Sequence, residues 1–110
     1  MSRESTLSSL IRLDAPIEQL KTKLGTLTWD GDPVVTLLRS HIAAVLDRYS
    51  RGEIDASTVE EWANLVECRE DIDFEAGFEE LIQAAIFDLA NPILNGELST
   101  LVTGILAGLR

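Results

Sequence analysis

Residues 46–68, LDRYSRGEIDASTVEEWANLVEC, hold the end of one amphipathic helix, a glycine stop, a short extended step and the start of a second helix. Gly52 supplies the left-handed residue that ends the first helix without a Cβ penalty. Ile54 makes the extended step, and Asp55 or Ser57 caps the second helix. Ser57 with Glu60 three residues on has the capping-box spacing. Val59, Trp62, Ala63 and Val66 then fall on one side, and Glu60, Glu61, Asn64 and Glu67 on the other. A 3.6-residue period on both sides of a stop describes a helical hairpin.

The flanking sequence continues this pattern. Upstream, Asp32-Pro33 marks a helix start, and Val34, Val35, Leu38, Ile42, Val45, Leu46 and Tyr49 give its apolar face. Before it, residues 1–13 read as a short helix open to fraying, with Leu7, Leu10 and Ile11 at helical spacing. Asp14 looks like an N-cap with Pro16 in the first turn. Leu13, Ile17, Leu20, Leu24 and Leu27 form one stripe that Gly25 closes. The loop TLTWDGDP contains Trp29, read as a lid on a helical core with a ligand platform as the alternative. His41, the lone histidine, lies on the apolar side of its helix and reads as a core-edge residue bonded to backbone.

Downstream, REDIDFEAG carries Ile72 as a buried anchor. Phe74, Phe78, Leu81, Ile82, Ala85 and Leu89 line a further helix that ends at Asn91-Pro92. Leu98, Leu101, Val102, Ile105, Leu106 and Leu109 make the last helix, capped by Ser99. Its other face is Thr100, Thr103, Gly104, Ala107 and Gly108, all small. Such a face places the helix at the centre of the bundle or on a self-association surface. No β-alternation stands out. The expected fold is all-α, one domain over residues 1–110, a compact bundle of about five helices with short connections.

The chain has 110 residues and a net charge of −10, unevenly distributed. Residues 1–52 carry seven basic and six acidic side chains, whereas residues 53–110 carry two and thirteen. That balance repels nucleic acid and anionic membranes, and permits a basic protein partner. No apolar run approaches the roughly 18 residues of a membrane span, and the N-terminus lacks a leader-like apolar region. A single cysteine, Cys68, excludes an internal disulfide and suits a reducing, cytoplasmic setting. With no activating base beyond Arg69 nearby, Cys68 reads as a buried or half-buried inert thiol.

Two motifs invite a metal. RGEID at 51–55 recurs as NGELS at 95–99, which suggests calcium loops. Counted from Asp47, however, the third, fifth and twelfth loop positions are Tyr49, Arg51 and Thr58, where a hard cation needs oxygens including a bidentate Glu. A glycine stop, an apolar residue and a cap explain the repeat, with Ile54 and Leu98 as a structural joint. Glu67 and Glu70 form an ExxE pair like that of magnesium-dependent nucleotide pyrophosphohydrolases. The following helix lacks the partner ExxD pair, and no Lys/Arg cluster stands ready for phosphates. No catalytic residue, metal or cofactor is expected.

Residues 60–80 hold nine acids against one base, Arg69. The solvated face is the simplest reading of such a run, and a docking surface for a basic protein is the functional one. In the segment 47–73, the sequence of helix end, GEID, VEEWANLVE and REDI resembles small acidic bacterial immunity proteins of the colicin D immunity type, and related antitoxins. The resemblance covers about a quarter of the chain. It implies a non-enzymatic inhibitor that covers the active site of a basic toxin or nuclease with carboxylates. The expected contact residues are Glu60, Glu61, Asn64, Glu67, Glu70, Asp71 and Asp73, with Trp62 as an anchor if exposed. The alternative is a homodimeric structural or regulatory protein that associates through residues 98–109.

Overall fold

The computed structural model describes residues 3–25, 35–69, 71–91 and 98–109. They form helices α1 (Arg3–Arg12), α2 (Ile17–Leu24), α3 (Arg39–Ser50), α4 (Ala56–Glu67), α5 (Glu79–Ala90) and α6 (Leu98–Leu109). Two short strands, β1 (Val35–Leu37) and β2 (Ile72–Phe74), complete the order β1 before α3 and β2 before α5. The fold is therefore mostly helical and compact, with a small parallel sheet that the all-α expectation omits.

β1 and β2 pair in parallel with Val35 opposite Ile72, Thr36 opposite Asp73 and Leu37 opposite Phe74. α3 and α4 form the crossover that a parallel pair requires. The expected helix from Asp32-Pro33 begins instead at Arg39, after Leu38 in extended backbone (φ −98°, ψ 158°). Val35 and Leu38 fit a helical period, but Val-Thr-Leu also suits a strand, and a ladder with Ile72–Phe74 decides between them. Phe74 likewise lies in β2, ahead of α5. Ile72 is buried as expected.

The core draws on nearly every element. Leu7 and Leu10 of α1, Leu20 of α2, Leu37 of β1, Ile42, Val45 and Leu46 of α3, Val59 and Trp62 of α4, and Ile82, Ile86 and Leu89 of α5 are fully buried. α1 is thus a central helix, packed on α2, α3, α4 and β1. Its short apolar pattern conceals this because its partners are distant in sequence. The closest helix pairing is α4 on α5, and α6 rests on α3 and α5.

Two similar turns link the helices. At the end of α3, Gly52 (φ +78°) donates to Tyr49 O at 3.0 Å and Glu53 donates to Arg48 O at 2.9 Å. At the end of α1, Leu13 donates to Leu10 O at 3.0 Å and Asp14 to Ser9 O at 3.2 Å, the same double closure. There the left-handed residue is a leucine, Leu13, with φ +49°. A left-handed leucine costs about 1–2 kcal/mol. Burying its side chain gives back about 1.5–3 kcal/mol, and its carbonyl accepts from Arg48 Nη1 at 2.6 Å. Leu13 therefore belongs to the turn, not to the α2 stripe. α4 is capped by Asp55, whose carboxylate accepts from Thr58 N at 2.8 Å. Leu27, Trp29 and residues 95–97 of the second turn repeat lie outside the described residues, and Leu98 and Ser99 open α6.

His41 is half-buried, and its Nδ1 accepts from Leu38 N at 2.9 Å, so it satisfies an orphan donor at the start of α3. Burial first, and the Arg12 charge second, lower its pKa from the ordinary value of about 6.5. The folded state then binds the proton less readily than the unfolded chain. The resulting stability is complete above about pH 6.5 and is lost as pH falls through the depressed folded value. Stability is expected to decline as pH falls below about 6.5. His41→Gln keeps an acceptor for Leu38 N, removes the titration and should flatten that decline in urea-unfolding series. An unchanged slope in the variant would exclude His41 as its source.

Candidate functional site

The outward side of α4 is built by the same periodicity that buries Val59, Trp62, Ala63 and Val66. At 3.6 residues per turn, Glu60, Asn64 and Glu67 lie within about 60° of one another, beside the buried arc and centred about 120° from its middle. Trp62 is fully buried, and its Nε1 donates to Leu10 O at 2.7 Å. It fixes α4 to α1 and is not an exposed anchor.

The expected contact residues separate into distinct environments. Glu67 and Asn64 are exposed and Glu60 is half-buried, and no described ion pair engages either glutamate. Asn64 Nδ2 donates to Glu60 O at 3.1 Å, one turn back. Glu61 is already neutralised: Lys21 Nζ of α2 lies 3.0 Å from its carboxylate and 3.7 Å from that of Glu18. The Glu61 hydrogen bond is the chief cause that raises the Lys21 pKa; partial burial opposes it and the Glu18 charge adds to it. Asp73 is exposed on β2, its Oδ1 accepting from Phe74 N at 2.9 Å. Glu70 lies outside the described residues, and the ExxE pair with it.

Asp71 is a correction. Its side chain is fully buried, and so is that of Arg69, which forks onto it with Nε to Oδ1 at 3.0 Å and Nη2 to Oδ2 at 2.8 Å. A carboxylate closed inside the protein by its own arginine does not meet a partner. It ties the end of α4 to the start of β2 instead. Glu75 is also engaged internally, by the side chain and backbone N–H of Arg39, which lower its pKa in that order; the Arg39 guanidinium stacks over Phe78 at 3.5 Å.

Cys68 is exposed, against the expected burial, because it continues the outward side of α4. It borders a hollow of about 270 Å³ with Lys21, Glu61, Asn64 and Leu65. A cleft of about 680 Å³ lies between the two similar turns and is bordered by Pro16, Ile17, Arg48, Glu53 and Ile54. Among the described residues, no three His, Cys, Asp or Glu side chains come together as a metal site, and no helix is long and apolar enough to cross a membrane.

Sequence reasoning missed the Lys21–Glu61 pair, which joins residues 40 apart and leaves no local signal. It also placed Leu81 inward, whereas Leu81 and Phe87 are exposed on α5. No protein-family model matches the chain, and neither the curated proteins nor the solved structures give a significant match.

Proposed function

We propose that this chain is a non-enzymatic, cytoplasmic protein-interaction module that docks a basic partner through the carboxylates of α4, as an immunity protein or antitoxin does with a cationic toxin or nuclease. The observation that carries the reading is the row of Glu60, Asn64 and Glu67. It presents two carboxylates with no counter-charge among the described residues, on a helix held rigid by the buried Trp62 side chain. Asp73 adds a further exposed carboxylate after it. Pre-positioned carboxylates speed association with a basic surface and form charge-assisted hydrogen bonds there.

Affinity capture from the source cell's lysate tests it. Wild type should retain a basic protein at low salt, and release it at about 0.5 M salt, where the Debye length is roughly 4–5 Å. Glu60→Lys/Glu67→Lys should retain it at least about tenfold less, the result of like charges facing each other. The retained protein is then assayed for nuclease activity with and without the chain. Equal capture by both forms would sink the reading.

A second reading, a homodimer through α6, is favoured by one observation. Thr103, Gly104, Ala107 and Gly108 are exposed, so α6 is not the central helix of the bundle.

A further inference from the structure

α5 and α6 leave an apolar groove between them, on elements separate from α4. Its hollow of about 310 Å³ is walled by Leu81, Ala84, Ala85, Gly104, Ile105 and Gly108. A neighbouring hollow of about 320 Å³ shares Ala84 and Asp88 with it and extends to Glu80 and Phe87. Leu81 and Phe87 are 37% and 48% exposed, two of the three large apolar side chains so exposed among the described residues.

Among the described residues, nothing packs closely against the glycines. A Cβ at Gly104 would meet nothing within 4 Å, and one at Gly108 only Leu81 Cδ1 at 3.9 Å. Each glycine nevertheless costs a helix about 1 kcal/mol relative to alanine. Small residues one turn apart beside exposed apolar ones form a channel into which the ridge of another helix fits.

Charge decides what that helix is. α5 carries Glu79, Glu80 and Asp88 and no base, while α6 carries no charge from Leu98 to Leu109. Two copies of a chain with net charge −10 would bring like acidic rims together, which is unfavourable. A cationic helix is complementary to the same rim. We propose that the groove between α5 and α6 receives an amphipathic helix of the basic partner, its apolar side in the hollow and its Lys/Arg side chains against Glu80 and Asp88. This deepens the docking reading and rests on its basic partner, but adds a contact that α4 does not make.

The probe is an amphipathic Leu/Lys peptide of about 18 residues, or five helical turns, with a scrambled peptide as control. Binding is followed by fluorescence anisotropy and by amide NMR shifts. The expected shifts fall on Ala84, Ala85, Gly104 and Gly108. Gly104→Leu fills the open space and should weaken binding about 30-fold, the loss of a central anchor; circular dichroism checks its fold. Glu80→Lys/Asp88→Lys should weaken it by a similar factor, and the scrambled peptide should bind poorly. Gln19→Lys, at an exposed position on α2, should leave the affinity within about threefold, the effect of a distant surface charge, and the same peptide is titrated into Glu60→Lys/Glu67→Lys. Equal binding by the groove variants, or loss only in the α4 variant, would overturn the groove while leaving the α4 reading standing. A wild-type dimer that Gly104→Leu makes monomeric would overturn it in favour of a second copy. Peptide binding as expected, alongside lysate capture indifferent to the α4 charges, would retain the groove and retire the α4 surface.

Discussion

Asp71→Ala is expected to lower the free energy of unfolding by about 3–5 kcal/mol, because it removes one partner of a buried ion pair. Arg69 and Asp71 have no side-chain exposure, and two hydrogen bonds of 3.0 and 2.8 Å join them as a fork. Removing the carboxylate takes from the buried guanidinium the two charge-assisted hydrogen bonds that Asp71 accepts. Against a typical total of about 5–15 kcal/mol, the variant sits near the edge of folding. With a urea slope of about 1–3 kcal/mol/M, its midpoint should fall by roughly 2 M. The double variant Arg69→Met/Asp71→Leu removes both charges and should recover much of the loss, which a lone carboxylate deletion cannot do. An Asp71→Ala protein within about 1 kcal/mol of wild type would mean that the pair is not the joint between α4 and β2 that the geometry indicates. The result also bears on function. A partner-binding defect in this variant would follow from unfolding, so Asp71 is not a valid probe of the acidic surface.

What was legible in the sequence was local. Gly52, Asp55, Gly25 and Asn91 each bound a helix through chemistry contained within one turn of chain, and each holds in the fold. The buried side of α4 was equally plain from Val59, Trp62, Ala63 and Val66. What was not legible depended on partners remote in sequence. Val35–Leu37 reads as helix until Ile72–Phe74 offers a ladder. Leu7 and Leu10 look peripheral until β1, α3 and α4 cover them. Leu13 occupies the position where a glycine is usual, so its turn carries no marker. Of the candidate site, Glu60, Asn64 and Glu67 are surface groups as their spacing implied. Glu61 was already engaged by Lys21. Asp71 looked like one acid among nine; the only clue was Arg69, the sole base in the run, two residues before it.

Trp62→Ala should cost about 3–5 kcal/mol, the range for deleting a large buried aromatic side chain. Trp62→Phe separates the ring from its polar edge. Its indole N–H donates to Leu10 O, which also accepts from Leu13 N in the turn that holds the left-handed leucine. In the Phe variant, that carbonyl keeps one partner, so the expected loss is smaller, about 1–2 kcal/mol. Urea unfolding followed by circular dichroism gives both values, and hydrogen exchange at Leu13 N should quicken in Trp62→Phe before global opening does. Equal losses in the two variants would show that packing of the six-membered ring contributes nothing beyond the hydrogen bond, contrary to complete burial. The same pair of variants separates position from contact on α4. Trp62 faces away from Glu60 and Glu67, so the folded Phe variant should hold a basic partner within about twofold of wild type, as a residue outside the interface does. A folded Trp62→Phe protein that loses its partner would place the interface on the α1 side of the helix, and the outward carboxylates would then be solvated charge alone.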